Sequence, residues 1–292
     1  MDWMIIAQMS VSGAAMGMAY ALIAYGFQLT YAPSRSLNFG QAEAVMISAF
    51  VALSLIGTGM PYALAMFLTL MFGAVLGLVV ERLGVRLALQ QKNEGWILLT
   101  IILGLFGSAV AENLWGRDDR PLPTPIPGDP IALGAISITW YEVTIVVGAL
   151  LLMAIIELFR RRTLLGRAVE AVAADPDVAG LMGIDSQRVV SLAYALSGAT
   201  AAFAGILIAP ITTVGPTMAA GLILKSFSVA VVAGLESGFG VVIAGIVLGA
   251  LESLSSAYLG SGWREAPGII LLIAVLALRP NGLFGKTTIR KV

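Results

Sequence analysis

The residues able to do chemistry in this chain are few, and they stand far apart. The sequence contains neither histidine nor cysteine, which removes the commonest general base, the commonest metal ligand and every thiolate site. Three ionisable residues instead fall in apolar stretches: Glu43, Lys225 and Glu252. Charges at bilayer depth are costly, and they mark either solute pathways or buried ion pairs between helices. Both interpretations stay open for Lys225 and Glu252, and no catalytic residue or metal site is predicted.

The elements that position these residues must be membrane helices, because the composition excludes a water-soluble domain. Of the 292 residues, 59% are hydrophobic and 12% are charged, against about 45–50% and about 25% in soluble domains. The 17 basic and 17 acidic residues balance, which excludes a nucleic-acid-binding protein held by a global positive field. The triplet Gly285-Lys286-Thr287 lacks the glycine that a phosphate-binding loop carries five positions earlier, where Pro280 stands. We therefore expect any ATP to be bound by another subunit.

Nine apolar segments divide the chain. A hydrocarbon core about 30 Å thick needs about 20 apolar residues per helix. The segments are Ile5–Thr30, Ala42–Leu55, Tyr62–Val80, Trp96–Leu114, Tyr141–Phe159, Val189–Ile211, Leu222–Leu235, Val241–Leu259 and Pro267–Leu278. Because the second, seventh and ninth are short, we predict one all-α transmembrane domain over residues 1–292 with eight to nine membrane segments.

The basic residues predict the orientation, since cytoplasmic loops carry an excess of lysine and arginine. If all nine segments cross, one side holds Arg35, Arg82, Arg86, Lys92, Arg160, Arg161, Arg162, Arg167, Arg188, Arg279, Lys286, Arg290 and Lys291. The other side holds Arg117, Arg120 and Arg264, while Lys225 lies inside a segment. We expect the N-terminus outside and the C-terminus in the cytoplasm.

The external loop 116–140 carries a proline at every second position from Pro121 to Pro127. Alternating prolines predict a stiff, extended strap. Such a strap is either a rigid cap that ties helix ends together or a landing surface for an external partner.

The cytoplasmic loop 160–188 is predicted to form two short helices. Residues 160–174 are helix-prone, and Asp175-Pro176 places a capping carboxylate before a proline at the first helical position. Asp177 falls in the first turn, and Gly183 is suited to the residue that follows a helix end. The ordered loop fits either docking into a partner protein or an amphipathic helix on lipid headgroups.

Several segments in this order resemble the permease subunits of branched-chain amino acid ABC importers, the first of the two permease types. The segments that carry the resemblance are residues 17–24, 37–43, 165–168, 174–176, 181–184, 224–227, 234–238, 249–253 and 279–285. No single motif is decisive, but their joint order runs over nearly the whole chain. Gly40-Gln41-Ala42-Glu43 departs from the more usual Ala-His-Gly-Glu or Ala-Gln-Gly-Glu.

The resemblance implies a multi-pass subunit of the bacterial inner membrane that pairs with a second homologous permease. Two ATPase subunits, which bind ATP and Mg²⁺, would dock below it, and a periplasmic binding protein would deliver the solute. It implies ATPase-coupling residues Gly166, Arg167, Ala171, Asp175, Pro176, Met182 and Gly183 in loop 160–188. Candidates to line the translocation pathway are Asn38, Phe39, Gln41, Glu43, Lys225 and Glu252.

Three alternatives remain open at this stage. An ABC permease for urea, short amides or small carboxylates would carry the same motifs, because the binding protein sets most of the specificity. A stand-alone ion-coupled transporter would use Glu43, Lys225 and Glu252 as ion or solute ligands. A membrane enzyme is disfavoured by the lack of histidine, cysteine and paired carboxylates.

Overall fold

The computed structural model describes residues 3–91, 93–127, 129–133 and 136–285. The first half runs through α1 (Trp3–Ser34), α2 (Gln41–Gly57), α3 (Tyr62–Val80), a π-helical turn (Glu81–Val85), α4 (Arg86–Gln90) and α5 (Trp96–Trp115). A hairpin follows, with strands β1 (Pro130–Leu133) and β2 (Ile136–Thr139). The second half runs through α6 (Trp140–Arg162), α7 (Leu164–Ala174), α8 (Pro176–Leu181), α9 (Ser186–Thr212), α10 (Met218–Ala233), α11 (Gly238–Leu259), a 3-10 turn (Ser261–Trp263) and α12 (Ala266–Leu278).

Within the described residues, seven helical stretches are long and apolar enough to cross a membrane. Two shorter apolar helices, α2 and α10, contain 17 and 16 residues, or about 25 Å at 1.5 Å per residue. Each coincides with a predicted segment, although α10 starts four residues before the predicted Leu222. The prediction of an all-α polytopic bundle is confirmed in its main architecture.

Contacts between connecting segments define two ends of the bundle. At the end that carries α7 and α8, here called the loop-helix end, Arg35 Nη1 pairs with Glu236 Oε1 at 2.6 Å. At the opposite end, which carries the β hairpin and is called the hairpin end, Gln8 Nε2 donates to the carbonyl of Ser137 at 2.6 Å. Trp115 Nε1 donates to Ser54 Oγ there. Successive apolar helices therefore run alternately between the two ends.

Glycines let the central helices touch backbone to backbone. Helix α1, whose residues 17–28 are buried throughout, lies in the middle of the bundle. A Cβ added at Gly17 would collide with the carbonyl oxygen of Gly245 on α11, and one added at Gly77 would collide with the carbonyl oxygen of Tyr194 on α9. Such small-residue contacts replace the hydrophobic effect as the source of helix packing in lipid.

The loop 116–140 differs from the predicted simple strap. Its C-terminal part forms the antiparallel hairpin β1–β2, with Ile131 opposite Ile138, a local feature that the sequence analysis did not predict. Its N-terminal part is tied to the α9–α10 connection, where the backbone groups of Arg120 and Val214 exchange hydrogen bonds of 2.9 and 2.7 Å. The buried side chain of Leu122 anchors the proline-rich stretch to the core. These contacts are those of a cap that holds helix ends together.

Candidate functional site

Loop 160–188 contains the two predicted short helices, although residues 160–162 belong to the end of α6 and α7 starts only at Leu164. Three side-chain caps build the loop. Thr163 Oγ1 accepts from the backbone N–H of Gly166 at 3.0 Å and starts α7. Asp175 Oδ1 accepts from the N–H groups of residues 177 and 178, both at 3.0 Å, and starts α8. Asp185 Oδ1 starts α9 in the same way. Gly183, with φ of +83°, follows the end of α8 as predicted.

The loop is anchored to the membrane helices by a small apolar core. Val172 of α7, Ala179 of α8 and Val189 of α9 are buried against one another. Gly166 is also buried, and a Cβ at this position would collide with the backbone of Arg160. The corner between α6 and α7 therefore requires glycine, and loop 160–188 is an ordered body fixed to the bundle.

The outer side of α8 presents an apolar surface to solvent. The side chains of Val178, Leu181 and Met182 are 54%, 87% and 79% exposed. Since residues at i, i+3 and i+4 lie on one helix face, the three form one patch, here called the α8 patch. Large exposed apolar groups of this kind mark interaction surfaces.

The predicted coupling residues divide into an exposed set and a scaffold. Arg167, Asp175, Pro176, Met182 and Gly183 are exposed, Ala171 is half-buried and Gly166 is buried. Gly166 therefore shapes the loop and is not part of its outer surface. The sequence analysis missed Val178 and Leu181 as surface residues. Their spacing from Met182 along a capped helix was the available signal.

The pathway candidates Asn38 and Gln41 belong to a buried polar network. Gln41, which is fully buried, donates from Nε2 to the carbonyl of Ser197 at 3.1 Å and accepts at Oε1 from Ser197 Oγ at 3.0 Å. Ser197 Oγ also lies 2.8 Å from the carbonyl of Gly26. Asn38 Nδ2 donates to Gln41 Oε1 at 3.3 Å. These bonds join α1, α2 and α9.

Lys225 and Glu252 form an ion pair inside the bundle. Lys225 Nζ on α10 lies 3.0 Å from Glu252 Oε2 on α11, and the two side chains are 10% and 2% exposed. The ammonium also lies 5.5 Å from the ring centre of Tyr20 on α1, within the range of a cation–π interaction. The arrangement links three helices.

Phe39 lies just before α2, and Glu43 lies in its first turn. Phe39 stacks on Trp96 with ring centres 6.3 Å apart and approaches Phe227 at 5.7 Å. Glu43, in the first turn of α2, lines a cavity of about 390 Å³ between α2, α3 and α5. In the part of the chain that the structure describes, Glu43 Oε2 accepts no hydrogen bond.

The six pathway candidates therefore do not come together as one site. Asn38 and Gln41 hold helices, Lys225 and Glu252 pair with each other, and Glu43 borders a cavity. Among the described residues, no group of three or more histidine, cysteine, aspartate or glutamate residues is placed to hold a metal ion.

Comparisons with known proteins identify a family and several relatives that match nearly the whole chain. Residues 9–278 match the family described as branched-chain amino acid transport system permease component. The chain is 30% identical to the high-affinity branched-chain amino acid transport system permease protein LivH of Escherichia coli K12, over 98% of this chain and 97% of that protein. It is 29% identical to the LivH protein of Salmonella typhimurium and to the BraD permease protein of Pseudomonas aeruginosa, with the same coverage. No solved structure matches.

Proposed function

Since the chain belongs to the family of branched-chain amino acid transport system permease components, we propose that it is the membrane permease subunit of an ATP-driven importer. Its solute is a branched-chain amino acid or a related amino acid-like molecule, delivered by a periplasmic binding protein. Permeases of this family are not enzymes, and the ATP is hydrolysed by separate subunits. The observation that carries the proposal is the match over nearly the full chain.

The loop 160–188 is the surface through which ATP hydrolysis is coupled to transport. The α8 patch supports this assignment. Its apolar side chains project from a helix that is capped at Asp175 and fixed by the small apolar core of the loop. A rigid attachment transmits the movement of a docked ATPase to α6 and α9, whereas a flexible loop would absorb it. Arg167, Asp175, Pro176, Met182 and Gly183 form or border the docking surface, and Gly166 and Ala171 support it.

The chain crosses the bacterial inner membrane nine times, with its N-terminus outside. Two observations support this topology: the alternation between two ends of the nine apolar helices that the described residues form, and the grouping of basic residues. Arg35, Arg86 and the run 160–162 lie at the loop-helix end, which carries the basic excess expected of a cytoplasmic face. Lys92, Lys286, Arg290 and Lys291 lie outside the described residues.

The assembly contains a second homologous permease, two ATPase subunits and the binding protein. The stand-alone ion-coupled transporter and the membrane enzyme are not retained, because the family relationship places the chain among permease components of transport systems. A solute such as urea, a short amide or a small carboxylate remains the alternative within this class.

Co-purification tests the proposal. A tagged chain is expected to bring down an ATPase and a second hydrophobic chain from membranes of its host, as identified by mass spectrometry. Leu181→Glu, which places a charge in the α8 patch, is expected to lose the ATPase. Gln187→Glu adds the same charge at the start of α9 outside this patch and serves as the matched control. Recovery of the wild-type chain alone, repeatedly and in mild detergent with lipid, would overturn the proposal.

A further inference from the structure

An apolar cavity with a single carboxyl group among its described lining residues lies outside the two helices that carry the Lys225–Glu252 pair. It occupies about 390 Å³ between α2, α3 and α5, within the range of about 300–1,000 Å³ that is typical of small-ligand sites. Apolar walls are contributed by Ile47, Leu76, Phe106 and Val110, among others. Among the described residues that line the cavity, Glu43 alone carries a charge.

No basic residue faces Glu43 among the described residues that line the cavity. Glu43 Oε2 is buried beside α5, where a Cβ added at Gly104 would lie 3.2 Å from it, and it accepts no hydrogen bond from the described residues. The carboxylate sits at the third position of α2, where the positive end of the helix dipole favours a negative charge. A buried carboxylate without a partner is unfavourable. The geometry therefore favours a ligand that brings a cationic donor.

The shape and chemistry of the cavity restrict that ligand further. Its walls are aliphatic and aromatic, so the body of the ligand must be apolar, and its volume suits a small molecule. The lining contains no basic residue among those the structure describes, so a carboxylate on the ligand would find no partner there. Two of the lining side chains, Phe106 and Leu114, are 67% and 69% exposed, so the cavity is open along the outer surface between α3 and α5.

We propose that this cavity is a subsite for the ammonium group and branched aliphatic side chain of the transported solute, with Glu43 as the ammonium acceptor. The inference rests on the proposed function and names the chemical class that the site takes. A small aliphatic amine is therefore sufficient for binding, and the isosteric aliphatic acid is not.

Protection from chemical labelling tests the site in the full-length chain within membranes. Dicyclohexylcarbodiimide, an apolar reagent, modifies carboxyl groups that it reaches within membranes, and mass spectrometry locates the adduct on Glu43. 3-Methylbutylammonium, at about ten times its dissociation constant, leaves about a tenth of the sites free. Labelling of Glu43 is expected to fall about tenfold. 4-Methylpentanoate at the same concentration should leave labelling of Glu43 unchanged.

The other labelling outcomes overturn the inference, and co-purification separates its failure from that of the proposed function. An unlabelled Glu43 means that the cavity is closed to small molecules, as when a second permease covers it. Equal protection by the amine and the acid means that the carboxylate does not select the ligand, and no protection means that neither binds. Failure of protection with intact co-purification of an ATPase overturns the inference alone. Protection without a co-purifying ATPase overturns the proposed function alone.

Discussion

Removing one member of the Lys225–Glu252 pair is predicted to destabilise the bundle more than removing both. The charged atoms are 3.0 Å apart and both side chains are nearly inaccessible. Their attraction is about 5 kcal/mol at an effective dielectric constant of about 20, and the desolvation of two charges offsets much of it. Glu252→Gln leaves the Lys225 ammonium without a counter-charge. We expect a loss of about 3 kcal/mol in the free energy of unfolding, at the low end of the range for a broken buried pair.

The double variant Lys225→Met/Glu252→Leu replaces the pair by apolar side chains of similar size. Because no buried charge is left unpaired, its expected loss is below about 1.5 kcal/mol. Unfolding of the purified chain in mixed micelles, followed by tryptophan fluorescence during titration with a denaturing detergent, measures both values. Glu157→Gln is the control, since its carboxylate is about one-third exposed and such pairs contribute less than about 1 kcal/mol.

Two results would refute this reasoning. If the double variant loses as much stability as the two single variants together, the residues are not energetically coupled. If it unfolds like the wild type but no longer supports solute uptake by the assembled transporter, the pair serves the pathway and its structural interpretation is wrong. Uptake must therefore be measured on the same variants.

Two further predictions concern the loop-helix end. Asp175→Ala removes the acceptor for two N–H groups at the start of α8 and is expected to lower the local stability of this helix by about 1 kcal/mol. Amide hydrogen exchange in α8 should then be about fivefold faster. Asp175→Asn, which keeps an acceptor oxygen, should retain the wild-type exchange rate. Gly282→Ala places a side chain at φ of +81° against the backbone of Gly234 and should lower the free energy of unfolding by more than about 1 kcal/mol. Gly262→Ala is the control, because a Cβ added at Gly262 would meet no other heavy atom within 4 Å. Equal stability of the two variants would contradict the prediction that Gly282 must be glycine.

Signals that act within a few residues were readable from the sequence. The corner at Asp175-Pro176 was predictable because a capping carboxylate bonds to N–H groups two and three residues later, as observed. The positive φ of Gly183 follows from the same local logic. The apolar segments were equally visible, because each helix in lipid satisfies its own backbone groups.

The β hairpin was missed because loop 116–140 was interpreted from its proline content alone. Prolines dominated the interpretation of loop 116–140, although alternating β-branched residues at Ile136 and Ile138 were a strand signal. Pairing of Pro130–Leu133 with Ile136–Thr139 is a short-range event that this signal could have predicted. The connection between α10 and α11 falls between two predicted apolar segments, but the contact that holds it was not predicted: Gln28 Nε2 donates to the carbonyl of Gly234 at 2.9 Å.

What the sequence by itself determined is the set of apolar helices, the caps of loop 160–188 and the family to which the motifs point. The tertiary structure decided which polar groups meet. Lys225 finds Glu252 across two helices, Gln41 finds Ser197 far along the chain, and Glu43 is left facing a cavity built by three helices. The physical reason is range: a cap or a hydrophobic span depends on adjacent residues, whereas the partner of a buried charge depends on the packing of helices that are distant in sequence.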